Sequence, residues 1–151
     1  MEGIIFGGEE AALISIIFGI LGLVLLAMLV PVIFYLLTLQ RNLKLCGQNA
    51  QMAPGLVWLN LIPLFNLVWG FVTVLKVSRS NQLAAQAAGR DVGDGGQIIG
   101  ILFMVFGLLA LIPFIGILLG LASLVLWIVF WVKIAGFSAD LRNAPVAATE
   151  A

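Results

Sequence analysis

The chain has 151 residues, 63% of them hydrophobic and only 9% charged, and its seven basic and seven acidic residues cancel. It contains no histidine and a single cysteine, which excludes His-ligated haem or zinc, an internal disulfide and any serine–histidine or cysteine–histidine catalytic pair. No basic run points to nucleic acid. A soluble domain carries about 25% charged residues, and the mean hydropathy here is +1.22. The expected fold is therefore all-α: an integral membrane helical bundle of about four transmembrane helices, the last two forming a hairpin.

The N-terminal Met1-Glu2-Gly3 lacks the basic region of a secretory signal peptide, and Glu9 and Glu10 stand where positive charge would be needed. The first apolar stretch, residues 11–39, is then read as a retained membrane helix. It would extend about 43 Å, longer than the ~30 Å hydrocarbon core, so tilt or a bend at Pro31 must absorb the excess. Glu9 and Glu10 suit its positive end.

Residues 40–55 form a polar connection with Arg41, Asn42, Lys44, Gln48, Asn49 and Gln51, closing on Pro54-Gly55. A loop or short interfacial helix is expected there. Cys46 within it is either a small apolar filler or an exposed juxtamembrane thiol open to acylation.

The second span, residues 56–77, contains the most polar interruption of the apolar chain, Asn60-Leu-Ile-Pro-Leu-Phe-Asn66. In lipid a proline breaks the helical ladder and each asparagine must find a partner. Asn60, Pro63, Asn66 and Thr73 therefore form the helix kink and the candidate polar site. The asparagines either satisfy backbone groups freed by Pro63 or line a polar path beside an unwound backbone.

Residues 78–97 are the most polar stretch, and Gly89–Gly96 reads as a turn. Its Asp91-Val-Gly-Asp94 lacks the alternating third carboxylate and the closing glutamate of a calcium loop, so no metal is expected. The apolar run 98–137 would make a helix of about 60 Å, twice the core thickness, so two spans are expected at 98–112 and 115–135 with a turn near Pro113. The single membrane domain thus covers residues 1–137. Residues 138–151 form a polar tail expected to be partly disordered. Leu59-Asn-Leu-Ile-Pro63 is echoed by Leu109-Ala-Leu-Ile-Pro113, although such matches arise easily by chance in so apolar a chain.

Each span carries small or weakly polar residues suited to close helix packing: Ser15, Gly19 and Gly22; Asn66, Gly70 and Thr73; Gly100 and Gly107; Gly116, Gly120 and Ser123. Trp58, Lys76, Trp127, Trp131 and Lys133 suit interfacial anchoring. With four spans, five basic residues (Lys76, Arg79, Arg90, Lys133 and Arg142) oppose Arg41 and Lys44, which places both termini in the cytoplasm. One alternative does better on charge. If Pro63 turned the second segment back as a re-entrant hairpin, all seven basic residues would share the cytoplasmic side. Four spans are retained here because about 22 residues suit one crossing and a turn in lipid would leave backbone groups unpaired.

Residues 53–69, Ala-Pro-Gly-Leu-Val-Trp-Leu-Asn-Leu-Ile-Pro-Leu-Phe-Asn-Leu-Val-Trp, followed by Phe71-Val-Thr-Val-Leu-Lys-Val-Ser78, resemble a signature of small bacterial multi-pass membrane proteins of unknown function. Phe130-Trp-Val-Lys-Ile-Ala-Gly136 is similar to the end of their last helix. The resemblance implies a bacterial cytoplasmic membrane and assigns no catalytic or binding residue.

No charged residue lies well inside any expected span, which speaks against proton-coupled transport, voltage sensing and intramembrane acid–base catalysis. The expectation is a non-enzymatic protein without cofactor. It would act as a structural protein, accessory subunit or membrane organiser, with membrane lipids and either a second copy or another membrane subunit as partners. The alternative is an oligomeric channel or passive permease with a path near Asn60, Asn66 and Thr73.

Overall fold

The computed structural model describes residues 8–143, so residues 144–151 of the expected tail lie outside it. The described residues are helical, without strands: α1 is Gly8–Cys46, α2 Pro63–Ala87, α3 Gln97–Leu109 and α4 Gly116–Asn143, with 3-10 helices at Gly47–Asn49 and Pro54–Leu61. Among them α1 and α4 are long and apolar enough to cross a membrane; four spans are not established. The chain divides into two compact units, residues 1–35 and 36–151.

In the first unit, residues 8–35 belong to α1, and every residue from 8 to 30 is exposed. A Cβ added at Gly19 or Gly22 would meet nothing within 4 Å. Ser15 returns its hydroxyl to the Ala11 carbonyl one turn earlier, at 2.8 Å. The stripe Ser15/Gly19/Gly22 therefore packs against nothing among the described residues.

The second unit holds the core. Leu36, Leu39, Leu43 and Cys46 recur at helical spacing on the last turns of α1, and all are buried. That burial explains why the helix runs to Cys46 and does not stop at the expected loop boundary near Gln40. Val74 and Val77 of α2 and Phe130 and Ile134 of α4 complete the apolar interior.

The kinked span expected over residues 56–77 is corrected: the kink at Pro63 is a full break between two helices. The 3-10 helix ends at Leu61, Ile62 is extended (φ −83°, ψ 108°), and Pro63 opens α2. Proline disfavours helical geometry in the residue before it, lacks an N–H, and is well placed at a first helical position. The chain then returns along itself. The Gln51 amide donates to Ser80 Oγ at 2.8 Å, the Trp69 indole to the Leu56 carbonyl at 2.9 Å, and Asn60 Nδ2 to Thr73 Oγ1 at 3.0 Å. These bonds lay residues 51–60 against residues 69–80, so the chain turns back on itself at residues 61–64.

Part of the backbone objection to such a tip is met locally. The Ile62 amide donates to the Leu59 carbonyl, the Asn66 amide donates to the Ile62 carbonyl, and Pro63 has no donor to place.

α3 runs antiparallel to both α2 and α4. A Cβ at Gly100 would collide with Val74 and Phe130, one at Gly70 with Met104, and one at Gly107 would press on Ser123 Oγ at 3.2 Å. Ser123 also donates to the Phe103 carbonyl at 2.8 Å. Gly95 is needed for its backbone: φ is +61°, and a side chain there would strike the Ser78 carbonyl. At the α3–α4 turn a Cβ at Gly116 would strike the Ala110 carbonyl, whereas one at Gly120 would make only ordinary contact with Ala110 Cβ at 3.6 Å. The tail prediction is corrected in part, since residues 138–143 continue α4 and Ser138 is buried.

These environments separate two glycines that look alike in sequence. Gly100→Leu should cost roughly 1–3 kcal/mol through overpacking against fully buried Phe130, measured by thermal unfolding in a neutral detergent. Gly19→Leu should change stability by less than about 0.5 kcal/mol in the same assay.

Candidate functional site

Two polar constellations stand out in the second unit. The first is the Pro63 hairpin. Asn60 Nδ2 donates to both the Val57 carbonyl (2.7 Å) and Thr73 Oγ1 (3.0 Å), so one amide ties the 3-10 helix to itself and to α2. Thr73 is 1% exposed, and Asn60 is half-buried. The Leu59 carbonyl, expected to lose its donor to Pro63, receives the Ile62 amide, and Asn60 serves the Val57 carbonyl instead.

Asn66 does not join Asn60 and Thr73. It lines a cleft of about 230 Å³ with Leu67, Phe103, Met104, Gly107 and Ser123, among other apolar residues. The four residues of the candidate polar site are therefore split: a locked pair (Asn60, Thr73), the break itself (Pro63), and one member facing α3 and α4 (Asn66).

The second constellation escaped sequence reasoning. Asn42 and Cys46 lie one turn apart on α1; Ser78 and Asn81 lie one turn apart on α2; Ser138 is on α4. All five are buried. Asn42 Nδ2 donates to Ser138 Oγ at 3.1 Å, and Ser138 donates to the Ile134 carbonyl at 2.9 Å. The Cys46 thiol faces Asn81 Oδ1 at 3.6 Å, which makes it a buried filler and not an exposed thiol. Asn42 Oδ1, Ser78 Oγ and Asn81 Nδ2 have no hydrogen-bond partner among the described residues. The available signal was the i, i+3 and i, i+4 spacing of these residues, but they fell in the polar connections and the tail, outside the expected spans.

Two indoles grip α1 beside this layer. Trp58 Nε1 donates to Gln40 Oε1 at 3.1 Å, and Trp131 Nε1 donates to Thr38 Oγ1 at 2.9 Å. Trp127 packs on Trp131 with ring centroids 5.3 Å apart. Lys133 pairs with Asp94 at 3.2 Å, while Lys76 is exposed on α2.

Asp94 closes the loop that precedes α3. Its Oδ1 accepts the Gly96 amide at 3.1 Å and its Oδ2 the Ile98 amide at 2.8 Å, so the carboxylate serves free donors at the start of α3. Asp91 Oδ1 likewise accepts the Gly93 amide. Among the described residues no group of three or more acidic or cysteine side chains could hold a metal. Partial burial of Asp94 acts to raise its pKa, but the Ile98 and Gly96 amides and the Lys133 ammonium outweigh it and hold the carboxyl below its ordinary value.

Compared with family models, curated proteins and solved structures, the chain matches none.

A double-mutant cycle with Asn60→Ala and Thr73→Val should return a coupling energy of about 1 kcal/mol in thermal unfolding; additive losses would mean the hairpin is held without this bond. For Asp94, a lowered folded-state pKa stabilises the fold fully above the ordinary carboxylate range of about 4, and this contribution is lost as pH falls through the folded-state value. Melting temperature should accordingly drop more steeply below about pH 4 in the wild type than in Asp94→Asn.

Proposed function

We propose that this chain is a non-enzymatic structural protein of a bacterial cytoplasmic membrane. It would organise lipid and neighbouring helices through a one-sided basic end. The return of the chain at Pro63 carries this reading. That turn brings Gln51 to Ser80, so the end of α1, the end of α2 and the end of α4 gather around one buried polar layer.

The basic residues follow. Arg41 and Lys44 flank Asn42, Lys76 and Arg79 flank Ser78, and Lys133 and Arg142 lie either side of Ser138. Arg90 reaches the Asp140 carbonyl at 3.2 Å. Lys and Arg concentrate on the cytoplasmic side of membrane proteins, and in this arrangement no basic residue is left for the other side. α1 then crosses once, with Glu9 and Glu10 outside. Residues 54–87 form a re-entrant hairpin, and α3–α4 enters and leaves on the cytoplasmic face.

Length supports the same topology. From Pro63 to Lys76 α2 extends about 20 Å, and the 13 residues of α3 also about 20 Å, both short of the ~30 Å core. The hairpin tips are apolar and exposed, with Leu64 at 83% and Phe114 at 100%, which suits contact with acyl chains. Asn60 and Thr73, two of the three side chains expected along a polar path, are bonded to each other and Asn66 stands apart from them, so the structural role is favoured over a channel. The bacterial setting rests on the resemblance of residues 53–78 alone.

Impermeant thiol labelling tests the topology. In a Cys46→Ala background, Gln51→Cys and Asp91→Cys should react from the same membrane face, and Leu64→Cys from neither. Labelling of positions 51 and 91 from opposite faces would restore four spans and remove the basis of this reading.

A further inference from the structure

Where α1 and α4 meet at the basic end of the second unit, they leave a cleft of about 190 Å³ lined by Arg41, Ala135, Ser138, Ala139 and Arg142. Its floor is made of small residues. Ser138 Oγ is held there by two hydrogen bonds, accepting from Asn42 and donating to the Ile134 carbonyl. The two arginines stand at the rim, one from each helix, and both are exposed.

Three other basic side chains of this end are already engaged, while Lys44 and Lys76 are exposed and do not line the cleft. Lys133 pairs with Asp94, Arg79 bonds Gln82 Oε1 at 3.1 Å, and Arg90 bonds the Asp140 carbonyl. Arg41 and Arg142 have no ion-pair or hydrogen-bond partner among the described residues. Among the described residues no acidic residue lines their cleft; Asp140, two residues before Arg142, lines a different one with Arg90 and Asp91. Two like charges thus face a common space with no counter-charge among the described residues. The space is several times the ~30 Å³ that a water molecule occupies in the liquid.

Guanidinium groups bind phosphate through paired, charge-assisted N–H donors, and a groove with small side chains at its base admits a bulky tetrahedral anion. We propose that the Arg41–Arg142 cleft binds a phosphate oxyanion, presented by the headgroup of an anionic lipid. This deepens the membrane reading above and rests on it for the lipid source. A basic membrane-side patch attracts anionic headgroups generally; this cleft adds a defined stoichiometry and a requirement for both arginines.

Native mass spectrometry of the full chain in a neutral detergent tests the site, with phosphatidylglycerol, phosphatidylcholine and inorganic phosphate as probes. The wild type should retain phosphatidylglycerol in preference to phosphatidylcholine. Arg41→Gln/Arg142→Gln should weaken phosphatidylglycerol binding by about tenfold or more, and Arg41→Lys/Arg142→Lys should fall between because lysine keeps the charge without the paired donors. Both side chains are exposed, so an unchanged melting temperature is expected and checks the fold.

Equal phosphatidylglycerol binding by wild type and the glutamine variant would overturn the site. Displacement of the lipid by millimolar inorganic phosphate would overturn the lipid assignment in favour of a soluble phosphate. The thiol labelling of Gln51→Cys and Asp91→Cys is read separately, so a failure of the topology is told apart from a failure of the cleft.

Discussion

Pro63 has no amide hydrogen, and the rest of the second unit depends on how the chain answers that loss. A helix continuing through residue 63 would leave the Leu59 carbonyl without its donor. The chain ends its helix at Leu61 instead, lets Ile62 go extended, and starts again. Ile62 then supplies the amide that Leu59 needs. Once the direction reverses, residues 51–60 lie against residues 69–80, which lets Gln51 reach Ser80, Trp69 reach Leu56 and Asn60 reach Thr73. A break that would have been a liability in a straight span becomes the point from which the basic end is assembled.

The price of that assembly appears in the buried layer beneath it. Leu36, Leu39, Leu43, Phe130 and Ile134 alone would make an apolar interface with little to distinguish one sliding position from another. Asn42 against Ser138 and Cys46 against Asn81 mark one alignment of α1 with α4 and α2. Three polar atoms there lack a partner among the described residues, and each such burial costs about 1–3 kcal/mol. A layer this expensive is better explained by fixing register than by adding stability. The glycines act in the same direction by geometry: Gly100 and Gly70 admit Phe130, Val74 and Met104 at distances that no side chain would allow.

The all-helical character, the hairpin of α3 and α4 and the break at Pro63 were legible in the sequence because they follow from apolar run length and from proline chemistry. The direction taken after Pro63 was less legible. About 22 apolar residues match one crossing so well that length argued against the re-entrant turn, while the seven basic residues argued for it. Local hydrogen bonds decide the geometry, and those depend on which side chains meet. Asn42, Asn81 and Ser138 were missed because a polar side chain in a polar stretch looks solvated; only the packing of three helix ends reveals that it is buried. In the same way Gly19 and Gly100 are indistinguishable by spacing, and only one of them has a neighbour.

The echo between residues 59–63 and 109–113 gains physical content from this comparison. Both Leu-Ile-Pro segments mark the tip of an antiparallel helical pair, and both prolines remove a donor where the chain reverses. The two tips are nevertheless closed by different means. At the first, Asn60 reaches across to Thr73, so a side chain holds the arms together. At the second, the matching position is Ala110, which has no polar side chain to offer. There the backbone makes the closure: the Ile115 amide returns to the Pro113 carbonyl, the Gly116 amide to Ile112, and Phe114 takes a left-handed φ of 71°. That conformation is strained for a residue other than glycine, and it brings Gly116 onto the Ala110 carbonyl, where only a glycine fits. A shared break therefore demands a polar side chain at one tip and a glycine at the other. The similarity of the two segments lies in the problem that each proline poses, and the divergence of their neighbours lies in how it is solved.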